Sequence, residues 1–135
     1  MLNILLSLFS VSLLVFVLLG AYIAIEAFYY QGHVGAELQK ELGFREGTTY
    51  NRNSRRLESA VAIVEVDEGG VFHHAGFRPG DALPRESHTS LFKRLYWSRT
   101  RAVEFSVVDS GDGPPFCKRP VRTLCLVVPA KQRQA

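Results

Sequence analysis

A long apolar run near the beginning of the chain limits what the chain can fold into more than any other feature. Residues 4–25 are 22 consecutive uncharged, mostly apolar residues, and the first charged side chain is that of Glu26. A helix rises about 1.5 Å per residue, so a run of this length crosses the roughly 30 Å hydrocarbon core of a bilayer. The sequence therefore predicts a transmembrane helix within residues 1–30.

This helix is predicted to be a permanent single-pass anchor and not a cleaved secretory signal. A signal peptide has a basic amino-terminal region, a shorter apolar stretch and a small-x-small cleavage site. Residues 1–3 carry no charged side chain, and no such cleavage site follows the run. Aromatic residues occur where an interfacial belt is expected: Tyr22, Phe28, Tyr29 and Tyr30. Residues 26–39 contain no Lys or Arg, which by the positive-inside rule favours an extracytoplasmic domain.

The rest of the chain is long enough for one small domain. Of the 135 residues about 30 belong to the anchor, and the remainder can form a single core with little room for a deep active-site cleft. The net charge is +3, and the basic residues occur singly or in pairs such as Lys93-Arg94. Nucleic acid binding usually needs basic residues clustered on one surface, so we predict a solvated mixed surface and no nucleic acid partner.

The chain has two cysteines, Cys117 and Cys125. Their spacing fits neither a CxxC motif nor a Cys/His metal site. In an oxidising compartment the two can form a disulfide. The interpretation we favour treats Cys125 as a small apolar strand residue and Cys117 as a loop thiol.

Turn residues and apolar periodicity divide the remaining sequence into short elements. Two glycines indicate a linker over residues 31–40, which ends in one or two helical turns that Gly43 is expected to stop. The polar residues 48–58 are predicted to form an exposed loop. Residues 60–66 alternate between two faces and predict a strand.

The later elements are predicted from the same signals. Residues 71–75 form one helical turn that Gly76 closes, and Ser87 has the side chain of an N-cap for a second helix. An apolar stripe follows that cap: Leu91, Phe92 and Leu95. Two strands, over residues 103–109 and 121–128, complete the domain.

One tripeptide has the composition of a carboxylate-binding loop. A carboxylate that leaves water needs several N–H donors converging on one point, and a glycine-containing loop can turn its backbone amides inward. Leu42-Gly43-Phe44 has this composition, and its two apolar side chains are expected to wall a pocket. A strand beginning at Phe44 can pair with an extended peptide through main-chain hydrogen bonds. A helix over residues 87–96 would close the groove.

These features resemble a PDZ domain over residues 41–129. Leu42-Gly43-Phe44 matches the last three positions of the family's Gly-Leu-Gly-Phe loop, with Glu41 in place of the first glycine. More specific similarities cover the central strand, the short helix and the Gly-Asp turn of the family: Val64-Glu65-Val66, Gly69-Gly70, Ala75-Gly76-Phe77 and Pro79-Gly80-Asp81. The closing hairpin is similar to the bacterial, protease-associated branch. The resemblance implies an α+β fold, a small, partly open β-barrel or sandwich with two helices, followed by a tail at residues 130–135.

The resemblance also implies roles for particular residues. The amides of Gly43 and Phe44 would hold a ligand carboxylate, and His88 would contact a ligand hydroxyl from the first turn of the groove helix. Four apolar residues would line the pocket for the terminal side chain: Leu42, Phe44, Phe92 and Leu95. The alternative for the groove-helix residues Leu91, Phe92 and Leu95 is ordinary core packing, and for His88 it is an exposed position near a helix start.

Two departures from the family pattern bear on function. Glu41 brings a negative charge next to a site for an anion, which weakens binding if its carboxylate faces the pocket. Only six residues separate Asp81 from His88, and Pro84 among them cannot donate to a strand ladder. One part of the sheet is therefore expected to be reduced.

We predict a membrane-anchored, non-catalytic module that binds an extended or C-terminal peptide segment of a partner protein. The alternative is a structural or accessory subunit of a larger membrane complex with no free peptide-binding role, and a third is an accessory that delivers substrates to a membrane protease. Hydrolase, zinc-protease, Walker and dinucleotide motifs are absent from the sequence. The adjacent His73 and His74 face different directions on a helical turn, which makes them a poor pair of metal ligands. No catalysis, metal or cofactor is predicted.

Overall fold

The chain forms one long helix that continues into a small α+β domain. A computed structural model describes residues 1–52 and 58–131. In chain order the elements are α1 (Leu2–Phe28), a π-helical segment (Tyr29–Val34), α2 (Gly35–Leu42), β1 (Phe44–Asn51), β2 (Glu58–Val66), α3 (Val71–Ala75), β3 (Asp81–Leu83), α4 (His88–Trp97), β4 (Ala102–Asp109), a 3₁₀ turn (Phe116–Lys118) and β5 (Arg122–Val127). The α+β class predicted from the sequence is confirmed.

The first three helical segments form a single helix, Leu2–Leu42, of 41 residues. Its first part is long and apolar enough to span a membrane, as the sequence predicts. None of the residues of α1 is buried by protein, which suits a helix whose apolar side chains face lipid. The helix then enters the domain without a break.

Residues 31–40 are helical, and this differs from the linker expected there. The two glycines in this stretch do not interrupt the helix, which passes from the π-helical segment into α2. An apolar stripe with a four-residue period is buried in the core: Val34, Leu38 and Leu42. Packing of this stripe stabilises the helix more than the glycines weaken it. Gly43 ends the helix as predicted, in the left-handed conformation with φ of 71°.

In the part of the chain that the structure describes, five antiparallel strands form one sheet in the order β1-β2-β3-β4-β5. Residues 48–51, expected in a loop, extend β1 and pair with residues 58–61 of β2. Their polar composition suits an edge strand, which no buried neighbour forces to be apolar. The rest of that expected loop, residues 53–57, lies outside the described residues. Strand β3 has only three residues, in agreement with the reduced sheet expected between Asp81 and His88.

The sheet is covered by apolar side chains on both faces. The main core joins the helix entering from the membrane side, α3, α4 and one face of the sheet, and Phe44 stacks on Phe72 with ring centroids 3.8 Å apart. A second, smaller cluster lies on the opposite face and consists of the strand residues Ala60, Ala82 and Val108 together with Phe116. The 3₁₀ turn supplies the phenylalanine that covers this second face.

The predicted turns and caps are present. Gly76 closes α3 with φ of 97°, and the Ser87 hydroxyl accepts a hydrogen bond from the Ser90 amide at the start of α4. Asp81 is buried in the Gly-Asp turn, where its carboxylate accepts the Arg78 amide at 2.8 Å. These contacts fix the ends of the short elements that support α4.

Both cysteines are free thiols, and both are exposed. Cys117 lies in the 3₁₀ turn and Cys125 in β5, opposite Glu104 of β4. The closing hairpin is therefore held by its strand ladder and its core contacts, without a disulfide.

Candidate functional site: the groove between β1 and α4

The four apolar residues predicted to line a pocket lie in the protein core. Leu42, Phe92 and Leu95 are completely buried, and Phe44 is 4% exposed. Phe44 is covered by Phe72 and lies 6.3 Å from Phe92, measured between ring centroids. The structure brings these side chains together, as the resemblance implies. In the structure, however, these side chains pack against one another and against the rest of the core.

The backbone groups of Gly43 are engaged within the chain. Its amide donates to the Gln39 carbonyl at 3.0 Å, which caps α2, and its own carbonyl accepts the Asp67 amide at 2.8 Å. The Asp67 side chain also lies beside this glycine, since a Cβ placed on Gly43 would be 3.2 Å from the Asp67 Cβ and 3.6 Å from its carboxylate oxygen. A ligand carboxylate at this point would therefore meet an occupied donor and a like charge.

The helix that enters the domain occupies the β1 side of the groove. The Gln39 side chain of α2 accepts a hydrogen bond from the Glu46 amide of β1 at 3.1 Å. That amide points away from β2, so it belongs to the edge where an added peptide strand would pair. The Gln39 side-chain amide in turn donates to the Gly35 carbonyl at 3.2 Å. A side chain of the protein thus stands at one of the positions that a peptide backbone would take.

The same helix packs closely on α4. Gly35 lies against Phe92, and a Cβ at this glycine would be 3.1 Å from the phenylalanine ring and 2.8 Å from the Tyr30 carbonyl oxygen. At the start of α4, the Gln31 side chain donates to the Thr89 hydroxyl at 2.7 Å. A glycine at position 35 is therefore what allows the helix to approach α4 closely enough to fill the groove.

His88 closes the groove directly between α4 and β1. Its Nε2 is 3.0 Å from the Thr48 hydroxyl, and its Nδ1 is bonded to the Glu46 carboxylate. The resemblance implies that a histidine here contacts a ligand hydroxyl, and in this structure the hydroxyl belongs to the chain itself. The imidazole is about one third exposed, so this contact forms a partly solvated latch between helix and strand.

The Thr48 hydroxyl, the His88 imidazole and the Glu46 carboxylate follow one another in the order found in some catalytic triads, where a base activates a nucleophile and an acid orients the base. Thr48 and Glu46 are two residues apart on the same edge strand, and Thr48 is exposed to solvent. Hydrolysis needs in addition converging donors for an oxyanion and a site that excludes water. The contacts that His88 makes with Thr48 and Glu46 hold α4 on β1.

Glu41, the departure from the family loop, faces away from the groove. Its carboxylate forms a two-pronged ion pair with Arg99, with N–O distances of 2.8 and 2.9 Å. The hydrogen bond from Arg99 holds the pKa of Glu41 below its ordinary value, against the partial burial that raises it. Arg99 also donates to the Pro129 carbonyl at 2.9 Å. The pair therefore ties the end of α2 to the segments that follow α4 and β5.

An open cleft remains at the outer end of the groove. It has a volume of about 370 Å³ and is lined by residues of α2 and of the first strands: Ala36, Gln39, Lys40, Phe44, Arg45, Glu65 and Asp67. Its charges are mixed, and Arg45 is paired with Glu65 at 2.8 Å. The cleft is a polar surface feature next to the filled groove.

The sequence reasoning missed the residues that fill the groove. Gly35, Gln39 and Gln31 were assigned to a linker and not to a site. The signal that would have found them is the apolar stripe of the entering helix, which continues the helical period beyond the membrane segment: Val34, Leu38 and Leu42. A helix with a buried stripe must pack against something, and here it packs against α4 and the start of β1.

No protein-family model matches this chain, and neither a comparison with curated protein sequences nor a comparison with solved structures finds a match.

Proposed function

We propose that this chain is a membrane-anchored, non-catalytic accessory subunit whose PDZ-like domain has its peptide groove filled by its own helix. The observation that carries this proposal is the position of α2, which packs on α4 and accepts the β1 edge amide of Glu46 through Gln39. In support of the PDZ-like assignment, a glycine turn, two long strands, a short helix, a three-residue strand, a second helix and a closing hairpin follow in the order that the family resemblance implies.

The energy needed to open the groove argues against a free peptide as the routine ligand. Three apolar side chains of the entering helix, Val34, Leu38 and Leu42, would have to leave the core. Burial of each contributes about 1.5–3 kcal/mol, so exposing all three costs about 5–9 kcal/mol. Because about 1.4 kcal/mol corresponds to a tenfold change in affinity, this cost would turn a micromolar dissociation constant into a millimolar or weaker one. A peptide from solution therefore does not displace the covalently attached helix.

The anchor supports a role in a membrane complex. The helix that is long and apolar enough to span a membrane is continuous with the helix that packs in the domain, so such an anchor would hold the domain close to the bilayer surface. Partners in the same membrane then meet it at a raised local concentration. We propose a membrane protein or a membrane protease complex as the partner, and an extracytoplasmic location for the domain.

The accessory role and the peptide-binding role are separated by one titration on the full-length chain. The protein in lipid nanodiscs is titrated with C-terminal peptides of varied sequence, and the same peptides with amidated ends serve as the control. We expect no saturable binding to the wild-type chain, and a partner that co-purifies from gently solubilised membranes in fixed ratio and resists peptide competition. Saturable binding that requires the free carboxylate would overturn the accessory role.

A peptide-binding role is the second candidate, and one observation favours it. Strand β1 is at the edge of the sheet, and beyond Glu46 its outward side borders no other strand of the described residues. By strand alternation the amides of Thr48 and Tyr50 point outward as the Glu46 amide does. An extended segment of a partner protein can add to this part of the edge. Replacement of the exposed Tyr50 by proline removes one such donor, leaves the Thr48–His88 contact in place and should abolish that binding, whereas replacement of the exposed Thr123 of β5 by proline should not change it.

A further inference from the structure

A second cleft lies where the membrane helix meets the domain. It has a volume of about 470 Å³ and is formed by the end of α1, the π-helical segment and α4: Tyr22, Ile25, Glu26, Tyr29, Tyr30, Lys93 and Trp97. Three of its aromatic side chains are largely exposed, with exposed fractions of 62% for Tyr22, 43% for Tyr29 and 66% for Trp97. An exposed aromatic cluster on a small domain marks a surface that contacts something else.

The position of this cleft along the helix indicates how deep it would lie in the bilayer. The apolar run ends at Ile25, and the helical residues of the cleft extend from Tyr22 to Tyr30. At about 1.5 Å per residue this stretch covers roughly 12 Å of the helix axis, so it straddles the boundary of the hydrocarbon core. Trp97 borders the cleft from α4 and therefore lies at the level where tryptophan and tyrosine accumulate in membrane proteins.

The ring nitrogen and the two charged groups of the cleft have partners within the protein. The Trp97 ring nitrogen donates to the Tyr30 hydroxyl at 2.8 Å, and Lys93 forms an ion pair with Glu26. The hydrogen bond to Glu26 also raises the pKa of Lys93. Since the two charges cancel and the indole N–H has a partner, the cleft offers apolar ring faces without a net charge. Such a surface can leave water at little cost.

We propose that a zwitterionic phospholipid of the surrounding bilayer fills this cleft, so that Trp97 lies in the interfacial layer and the domain rests against the membrane surface. The occupant follows from continuity, since Tyr22 and Ile25 belong to the membrane-spanning run itself. The neutral Glu26–Lys93 pair favours a zwitterionic over an anionic headgroup. The inference depends on the membrane anchor and is independent of which protein partner the domain has.

The chain contains a single tryptophan, so its fluorescence reports on this cleft alone. The full-length chain is placed in phosphatidylcholine nanodiscs whose acyl chains carry bromine either close to the headgroup or near the chain end. We expect bromine close to the headgroup to lower Trp97 emission at least about twofold more than bromine at the chain end, because interfacial tryptophan lies at headgroup level. Acrylamide in the water should quench it weakly.

The matched control carries Trp97→Phe together with Val121→Trp. Val121 is exposed and precedes β5, at the end of the closing hairpin where Val107 pairs with Arg122 and away from the end where Ala102 pairs with Val127. Its tryptophan should be quenched by acrylamide and not by brominated lipid. Trp97 quenching equal to that of this control would overturn the proposal, and so would quenching by brominated lipid that appears only when anionic lipid is added.

Discussion

Two neighbouring surfaces of α4 differ, because one is covered by the chain itself and the other is open. On the side of β1, the groove is filled by α2, with Phe92 fully buried and the Glu46 edge amide bonded to Gln39. On the side of the membrane helix, the junction cleft is open and its aromatic rings, Trp97 among them, are exposed. The resemblance to a peptide-binding family points to the first cleft, whereas the exposed surface is in the second.

The long helix Leu2–Leu42 accounts for both the covered groove and the open junction cleft. Because the chain passes from α1 to α2 without a break, the residues after the membrane segment are carried straight onto α4. Their apolar stripe enters the core and closes the groove. Of the residues just before this stripe, Tyr30 is buried in the core, whereas Tyr22 and Tyr29 stay exposed and line the open junction cleft. The position at which the long helix enters the domain therefore determines which surface of α4 remains available to a partner.

The largest expected change in the free energy of unfolding comes from a comparison of two aromatic residues of α4. Phe92→Ala removes a fully buried ring beside Gly35 and should lower the free energy of unfolding by about 3–5 kcal/mol. Trp97→Phe removes one hydrogen bond at an exposed site and should lower it by at most about 1.5 kcal/mol. Urea unfolding of the full-length chain in nanodiscs measures both. Small and equal effects would mean that Phe92 is not packed and that the groove is open.

Substitution of alanine for each of two glycines in the same helix should change the stability of the protein in opposite directions. Gly35→Ala places a methyl group within 2.8 Å of the Tyr30 carbonyl oxygen and 3.1 Å of the Phe92 ring, so we expect a loss of about 1–3 kcal/mol. Gly32→Ala meets nothing within 4 Å and should stabilise the helix by about 0.5–1 kcal/mol. Thermal unfolding of the two variants provides the test. A gain in stability from both substitutions would contradict close packing of the helix on α4.

The Gln39 contact should have a smaller and more local effect. Gln39→Ala removes the acceptor of the Glu46 amide and should lower stability by about 0.5–1.5 kcal/mol. The same substitution should speed hydrogen exchange of that amide, which NMR can follow. Gln31→Ala is the matched control, because it removes a side-chain bond of the same helix to Thr89. Exchange at Glu46 that does not change in Gln39→Ala would show that the edge amide was free from the start.

The smallest effect concerns Glu41 and is pH-dependent. The hydrogen bond from Arg99 lowers the pKa of Glu41 in the folded chain, so the pair stabilises the fold above about pH 4.3, the ordinary glutamate value. This contribution is lost as the pH falls through the lowered folded pKa. Because the pair is partly exposed, Glu41→Gln should lower stability at pH 7 by at most about 1 kcal/mol. The wild type and the variant should be equally stable once Glu41 is protonated, and a difference that persists there would exclude the ion pair as its cause.

The sequence predicts the elements that follow local rules. The alternation of residues 60–66, the Ser87 cap and the Gly43 and Gly76 stops all depend on neighbours within a few positions, and all are confirmed. The second half of β1 was missed because an edge strand needs no apolar alternation. Over residues 31–40 only the last one or two helical turns were predicted, because the two glycines disfavour a helix locally and packing against α4 overrides that preference.

The state of the groove could not be read from residue types. Leu42, Phe44, Phe92 and Leu95 suit an open apolar pocket and a closed core equally well, because both need large apolar side chains that face inward. The deciding element is a distant one, the helix that arrives from the membrane. Only the three-dimensional path of that helix shows that the pocket side chains are covered.

Amide hydrogen exchange of the full-length chain in nanodiscs tests most directly whether α2 closes the groove. If α2 is part of the core, the amides near its carboxyl end should exchange as slowly as those of the inner strand β2, because both open only when the domain unfolds. If residues 35–42 behave as a linker beside an open groove, their amides should exchange faster than those of β2 by orders of magnitude. That result would contradict the closed groove and the accessory role inferred from it.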